Sequence, residues 1–182
     1  DFDQARKLYG QSLAIFRQLR YQYGVSSDLM GLSTLCRIQG DYDQAQTFLA
    51  ESVSIYRRYG HMPDYFYSYF YLGCVMLHGG NFAEAQEYFA ESTRISRRIH
   101  GKITMVCGLS GLAAVAAGLH QYERAGLLVG AGQAISDTIV VIDSVLFKMP
   151  PEDRIEIDPL LQIARDQLGE AAFEALVARG RA

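Results

Sequence analysis

Hydrophobic positions along the chain recur three and four residues apart, within segments that themselves recur every forty residues. In the segment 80–99, GNFAEAQEYFAESTRISRRI, the apolar positions are Ala85, Tyr88, Phe89 and Ile95. This spacing places the four side chains on one side of an α-helix. The pattern therefore predicts an amphipathic helix, and its recurrence predicts several copies of that helix.

Matching side chains lie forty positions apart over four copies. One column is always aromatic, one is always alanine and one is always isoleucine: Phe2, Tyr42, Phe82 and Tyr122; Ala5, Ala45, Ala85 and Ala125; Ile15, Ile55, Ile95 and Ile135. A fixed period of this length is typical of helical repeat arrays, in which each unit buries its apolar face against its neighbours.

The segments between the copies also repeat, so each unit is predicted to be a hairpin of two helices. The second helices are expected at 2–20, 41–59, 81–99 and 121–136, and the first helices at 25–39, 64–79 and 103–119. Gly40 and Gly80 suit the left-handed turn that ends a helix, and Asp41 and Asn81 suit the N-cap position after it. The first unit lacks its first helix, which predicts an exposed apolar edge and favours a piece excised from a longer protein.

The repeat is lost after the fourth copy. The segment 139–147, IVVIDSVLF, has the composition of a strand. A single strand would have no partner, so a helix extension or a packed linker is favoured. Asp158 before Pro159 predicts a new helix start, and Gly169 separates that helix from a final short one. Residues 137–182 are therefore predicted to form a linker and C-terminal capping helices over the last repeat.

The units resemble tetratricopeptide repeats, whose hairpins carry large-x-x-Leu-Gly-x-x-Tyr followed by Ala-x-x-x-Phe. Leu72, Gly73, Ala85 and Phe89 match this pattern best. The resemblance implies an all-α, right-handed solenoid of helical hairpins, here with a period of about 40 residues instead of about 34. The array would span 1–136, as a partial unit at 1–20 and units at 25–59, 64–99 and 103–136.

The C-terminal part also resembles a more specific group. Gly111-Leu112-Ala113, Arg124-Ala125 and Leu168-Gly169 lie within a stretch, about 80–182, that is similar to the C-terminal repeat region of large bacterial ATPase-linked regulators of LuxR or cyclase type. The similarity implies a cytoplasmic signalling or transcription regulator. Its ATPase and effector domains would be attached elsewhere in the parent chain.

Composition and charge argue against several classes of partner. The formal net charge is −3, so no basic field that would attract nucleic acid directly is expected. No apolar run approaches 18 residues free of charge, which argues against a membrane span. The three cysteines are far apart and form no C-x-x-C pair. They are interpreted as free thiols in a reducing compartment, in agreement with a cytoplasmic protein.

Motifs of catalysis, cofactor binding or metal binding were not found in the sequence. His61, His78, His100 and His120 lie near helix ends in different turns, so they are not expected to converge on a metal. Cys74 and His78 share a helix face, as a Cys–His nucleophile pair would, but no orienting carboxylate or oxyanion donor accompanies them. The sequence therefore predicts a non-enzymatic protein without catalytic, cofactor or metal residues.

The first helices carry the residues that differ between copies. Six of the seven residues at 65–71, YFYSYFY, are aromatic, more than one helix face can bury. In a solenoid of hairpins the other face would line a concave groove. The predicted groove residues are Met30, Thr34, Arg37, Tyr67, Phe70, Cys74, His78 and Ser110. Such an amphipathic groove would bind a protein or peptide, or a small ligand, with Arg37 as polar anchor. The alternative is that these aromatic residues pack on a neighbouring domain that is absent here, or fill the interior of a narrow superhelix.

The preferred interpretation is a protein-interaction or ligand-sensing module of a larger regulator, in which groove binding biases an attached effector. A stand-alone scaffold is the alternative, assembling partners or forming a homodimer through the exposed repeat edge. An enzyme that uses Cys74 or His78 is the least favoured class.

Overall fold

A computed structural model of the chain describes residues 1–59, 65–139 and 149–182. Within these ranges the regular structure is helical, without a strand, and the predicted all-α helical-repeat fold is confirmed. The 3₁₀ turn Pro151–Asp153 lies between the seventh and eighth helices. The helices are α1 (Phe2–Gln18), α2 (Gln22–Ile38), α3 (Tyr42–Tyr59), α4 (Tyr65–His78), α5 (Phe82–Arg98), α6 (Lys102–Gly118), α7 (Tyr122–Ser136), α8 (Asp158–Leu168) and α9 (Glu170–Arg181).

The expected strand-like segment falls almost entirely outside the described residues. Ile139 is described, in a non-helical position after a turn, and the rest of the segment is not. The prediction of a helix extension or packed linker there therefore stays a prediction.

Five of the described turns, those that follow α1, α2, α4, α5 and α6, share one geometry and lie at multiples of twenty residues. Gly40 and Gly80 have positive φ, as predicted, and so do three residues that are not glycine: Arg20, His100 and His120. The N–H that follows donates to the carbonyl five residues earlier, as from Tyr21 to Phe16 at 2.9 Å. These bonds are those of a Schellman motif. The local unit is thus one helix plus one turn, and the forty-residue repeat contains two of them.

The predicted helix starts are only partly correct. The carboxylate of Asp41 accepts the N–H of Gln44 at 3.2 Å, which confirms the N-cap of α3. Asn81 also occupies the predicted N-cap position of α5, but its side chain makes no capping hydrogen bond and its amide lies close to Gly79. Helix α8 begins at Asp158 itself, one residue earlier than the predicted N-cap implied.

Glycines on two first helices allow α4 and α6 to pack closely on one aromatic ring of α5. The Phe89 side chain of α5 is fully buried. It lies between Gly73 of α4 and Gly111 of α6, where a Cβ on either glycine would overlap its ring. Because interiors are close-packed, a larger residue at either glycine would force the helices apart. Close approach at the small positions therefore sets the spacing of successive units.

The C-terminal residues take two different routes over the array. Helix α9 packs along α7 and buries Phe173 and Val177, while α8 packs against α6 and α7. Residues 149–157, here named the strap, instead cross the side formed by the first helices. Met149 and Ile157 of the strap belong to the same buried cluster as Phe70 of α4. The strap is therefore the part of the chain that covers the predicted groove.

Candidate functional site

Three of the predicted groove residues lie against the strap: Arg37 bonds to it, and Phe70 and Cys74 belong to the buried cluster that contains Met149 and Ile157. Arg37, Phe70 and Cys74 are at most 1% exposed. Four further predicted groove residues are partly buried: Met30, Thr34, Tyr67 and Ser110. The expectation of an open groove at Arg37 is thus corrected, because a segment about 119 positions later in the chain, around Glu156, fills it.

A buried ion pair joins the strap to the array. The Nε of Arg37 donates to Oε1 of Glu156 at 2.9 Å, and Nη2 donates to Oε2 at 2.6 Å. Nη2 also donates to the carbonyl of Glu152 at 3.0 Å. The two side chains are 0% and 3% exposed. Two parallel N–H···O bonds between a guanidinium and a carboxylate form a strong and directional arrangement.

Two tyrosines complete this polar cluster. The Tyr71 ring lies with its centroid 4.9 Å from the guanidinium carbon of Arg37. Burial, and then the neighbouring Asp153 charge, raise the pKa of the Tyr71 hydroxyl. Burial, followed by the charge of Glu156 and a hydrogen bond to it, raises the pKa of Tyr42 to about 12. Both tyrosine hydroxyls therefore stay protonated at neutral pH beside the strap carboxylates.

The acidic half of the site was missed at the sequence level. Asp153 and Glu156 follow a proline pair in a segment without helical periodicity, so the sequence indicates only that Glu152 and Asp153 lie at a helix start. Burial raises the pKa of Asp153, while its bond from Tyr71 and the nearby Arg37 charge act in the opposite direction. The only signal was the spacing of acidic residues in EDRIEI at 152–157. That spacing does not identify a partner at position 37.

Cys74 and His78 do not form a nucleophile pair in the structure. Cys74 is fully buried, and burial raises the pKa of its thiol, although the nearby Arg37 charge partly opposes the shift. His78 is exposed and stacks on Tyr42, with ring centroids 3.5 Å apart. A thiolate nucleophile is therefore disfavoured here. Among the described residues there is also no group of three His, Cys, Asp or Glu side chains placed to hold a metal ion.

Part of the groove remains open beside the strap. A cavity of about 480 Å³ lies between α6, α7 and the strap, and its lining includes Ser110, Met149 and Ile157. Ser110 is thus the one predicted groove residue that borders open space in this cavity.

The N-terminal edge of the array exposes part of a column that is buried elsewhere. Ile15 of α1 is 54% exposed, whereas Ile55 and Ile95 at the same register are 8% and 7% exposed. Ile55 packs with Leu29 of α2, the first helix of its own unit. Helix α1 has no such helix in the described chain, and Ile15 is exposed although Leu13 of the same helix is buried with residues of α2.

A model of the tetratricopeptide repeat family matches residues 1–58 and 27–98, which together cover more than half of the chain. The chain belongs to the tetratricopeptide-repeat family. Comparison with curated proteins and with solved structures found no match. Tetratricopeptide repeats generally mediate protein–protein interactions, and their fold is generally a non-enzymatic scaffold. None of the described helices is both long and apolar enough to cross a bilayer.

Replacing Glu156 by glutamine should weaken the folded state much more than the same change at Glu152. Glu156→Gln leaves a buried guanidinium without its counter-charge, which costs about 3 kcal/mol. Glu152 is exposed and uses only its backbone carbonyl, so Glu152→Gln should change the free energy of unfolding by less than about 0.5 kcal/mol. Urea denaturation followed by circular dichroism measures the free energy of unfolding of both variants. Equal losses of stability in the two variants would contradict the buried ion pair.

Proposed function

We propose that this tetratricopeptide-repeat chain is a peptide-binding module of a larger bacterial, cytoplasmic signalling or transcription regulator. The observation that carries the proposal is the bidentate capture of a carboxylate by Arg37 on the face of the first helices. Binding in this groove would bias the state of an attached effector domain. No step of this function requires a catalytic residue or a cofactor.

The site has the two components that peptide recognition needs. Phe70 and Cys74 give a closely packed apolar floor, and Arg37 adds one charged group with a fixed orientation. Apolar contact supplies much of the binding free energy in such sites, while a few placed polar groups decide orientation and specificity. An extended segment with a carboxylate beside an aliphatic side chain, as in Glu156-Ile157, meets both requirements.

The regulator assignment is supported by the similarity of residues 80–182 to the repeat region of ATPase-linked regulators. The cytoplasmic assignment is supported by the cysteines at 36, 74 and 107, all of them free and buried in the described chain. Free thiols are typical of proteins from reducing compartments.

The peptide-binding proposal predicts that the groove accepts a strap peptide in trans once its own strap is weakened. The probe is a fluorescein-labelled peptide of residues 149–158, titrated into the full-length Glu156→Gln chain by fluorescence anisotropy. The peptide should bind at least about tenfold more tightly than to the wild-type chain, because Arg37 gains a charged partner. The matched Glu152→Gln chain should bind like wild type. A folded Glu156→Gln chain that fails to bind would contradict the proposal.

The regulator assignment predicts the content of the parent gene. The coding sequence upstream of Asp1 should encode an ATPase module together with a DNA-binding, cyclase or other effector domain. Sequencing the genomic locus measures this directly. An upstream region that encodes neither an ATPase module nor an effector domain would reject the regulator assignment. The chain would then be an interaction module without an attached effector domain.

Self-association through the α1 edge is a second candidate, favoured by the exposure of Leu8, Ile15 and Leu19 on one face of that helix. If this face pairs two copies, Ile15→Glu should weaken the dimer at least about tenfold, because a charge would be buried in the interface. Ile163→Glu on α8 is the matched control, since Ile163 is 45% exposed and distant in the fold. Sedimentation equilibrium measures the association, and a monomeric wild-type chain would remove this candidate.

A further inference from the structure

The strap presents a defined pattern of side chains to the array. Met149, Asp153, Glu156 and Ile157 are buried, and the strap residues between them are exposed. Two of the four buried residues are carboxylates, which are rarely buried without a dedicated partner. The array therefore recognises an acidic segment at this face, and recognition depends on the positions of its carboxylates.

Arg37 and Tyr71 recognise the spacing of these two carboxylates. The guanidinium holds both oxygens of Glu156, whereas a glutamine would offer one oxygen and direct an NH₂ group at a cation. The Tyr71 side chain lies beside Asp153, three residues before Glu156, and its ring lies against Arg37. Two array residues in contact with each other thus face both carboxylates of Asp-x-x-Glu, and Ile157 adds apolar contact.

The contacts that hold the strap are replaceable. Its described backbone N–H groups bond locally, as from Asp153 to Pro150 and from Ile157 to Arg154. The bond from Arg37 to the Glu152 carbonyl links strap backbone to array. Helices α8 and α9 also pack through a second cluster, which contains Ala164 and Phe173, although Leu160 and Leu161 of α8 contact both clusters. This second cluster would keep α8 and α9 on the array when the strap leaves the groove.

The strap is also an incomplete partner for Arg37. Nη1 of this buried guanidinium has no hydrogen-bond partner within the described part of the chain. A buried donor without an acceptor lowers stability. An occupant that also supplied an acceptor to Nη1 would bind about tenfold more tightly than one that did not.

We infer that the partner of this groove is an extended segment of another protein that carries Asp-x-x-Glu followed by an aliphatic residue, and that this segment displaces the strap. The inference rests on the proposed function, since it requires a groove that binds peptides. The strap then acts as a tethered competitor, with an effective concentration on the order of millimolar. Segments that lack the paired carboxylates are excluded by this competition.

The test uses the wild-type, full-length chain labelled with ¹⁵N and an unlabelled peptide of residues 149–158, acetylated and amidated at its ends. Nuclear magnetic resonance spectra recorded during the titration report only on the labelled chain. The strap amides should move to positions of unstructured residues, with half-displacement at about one millimolar peptide. Amides of α8 and α9 should keep their positions.

Two peptide variants separate recognition from charge alone. A peptide with glutamine in place of Glu152 should displace the strap as well as the unmodified peptide. A peptide with glutamine in place of Glu156 should require at least about tenfold more. Equal potency of the two variants, or no displacement by the unmodified peptide, would overturn the inference. If the sensitised Glu156→Gln chain still binds peptide in that case, the peptide-binding function stands and only displacement of the native strap fails.

Discussion

The fold and its site depend on one constraint: a guanidinium removed from water must keep its counter-charge. Arg37 is 1% exposed, and Glu156, which neutralises it, lies 119 positions later in the chain. Separating the two without rehydrating them would leave an uncompensated buried charge. The groove is therefore either filled, with the pair intact, or open, with Arg37 in water. Intermediate arrangements are disfavoured.

This pair contributes more to specificity than to overall stability. Buried ion pairs are often no more stabilising than apolar residues of similar volume, because desolvation offsets their attraction. The rest of the structure is held by apolar packing, such as Phe89 between α4 and α6 and Phe173 between α7 and α8. What the pair adds is position, since only one register of the strap places Glu156 and Asp153 beside Arg37 and Tyr71. Array stability and groove occupancy thus rest on different interactions.

Features that depend on neighbours within a few residues could be predicted from the sequence. The helices fall within a few residues of their predicted bounds, because apolar spacing and the turns at Gly40 and Gly80 are local signals. The left-handed residues Arg20 and His100 were missed, since neither side chain signals that conformation. The fixed twenty-residue spacing of the turns imposes it there.

Only those residues of the site that lie on the repeat helices could be predicted from the sequence. Helical geometry places Arg37 and Phe70 on one face, so the sequence identified them together. It could not show that Glu156 would reach Arg37, because the strap has no periodicity and its contact spans more than a hundred residues. Local patterns indicate which face is available, and only the folded chain shows what occupies it.

The repeat itself explains why recognition is confined to this place. The residues that correspond to Arg37 in the next two units are Leu77 and Ala117, which are buried and uncharged. The positions that correspond to Tyr71 in the neighbouring units are Gly31 and Gly111. There the aromatic rings of Tyr9 and Phe89, from second helices, occupy the volume that a side chain would need. Repeat symmetry is therefore broken at the two array residues that hold strap carboxylates. A single cation among apolar positions gives a carboxylate one place to bind, and so fixes the orientation of any extended segment that enters the groove.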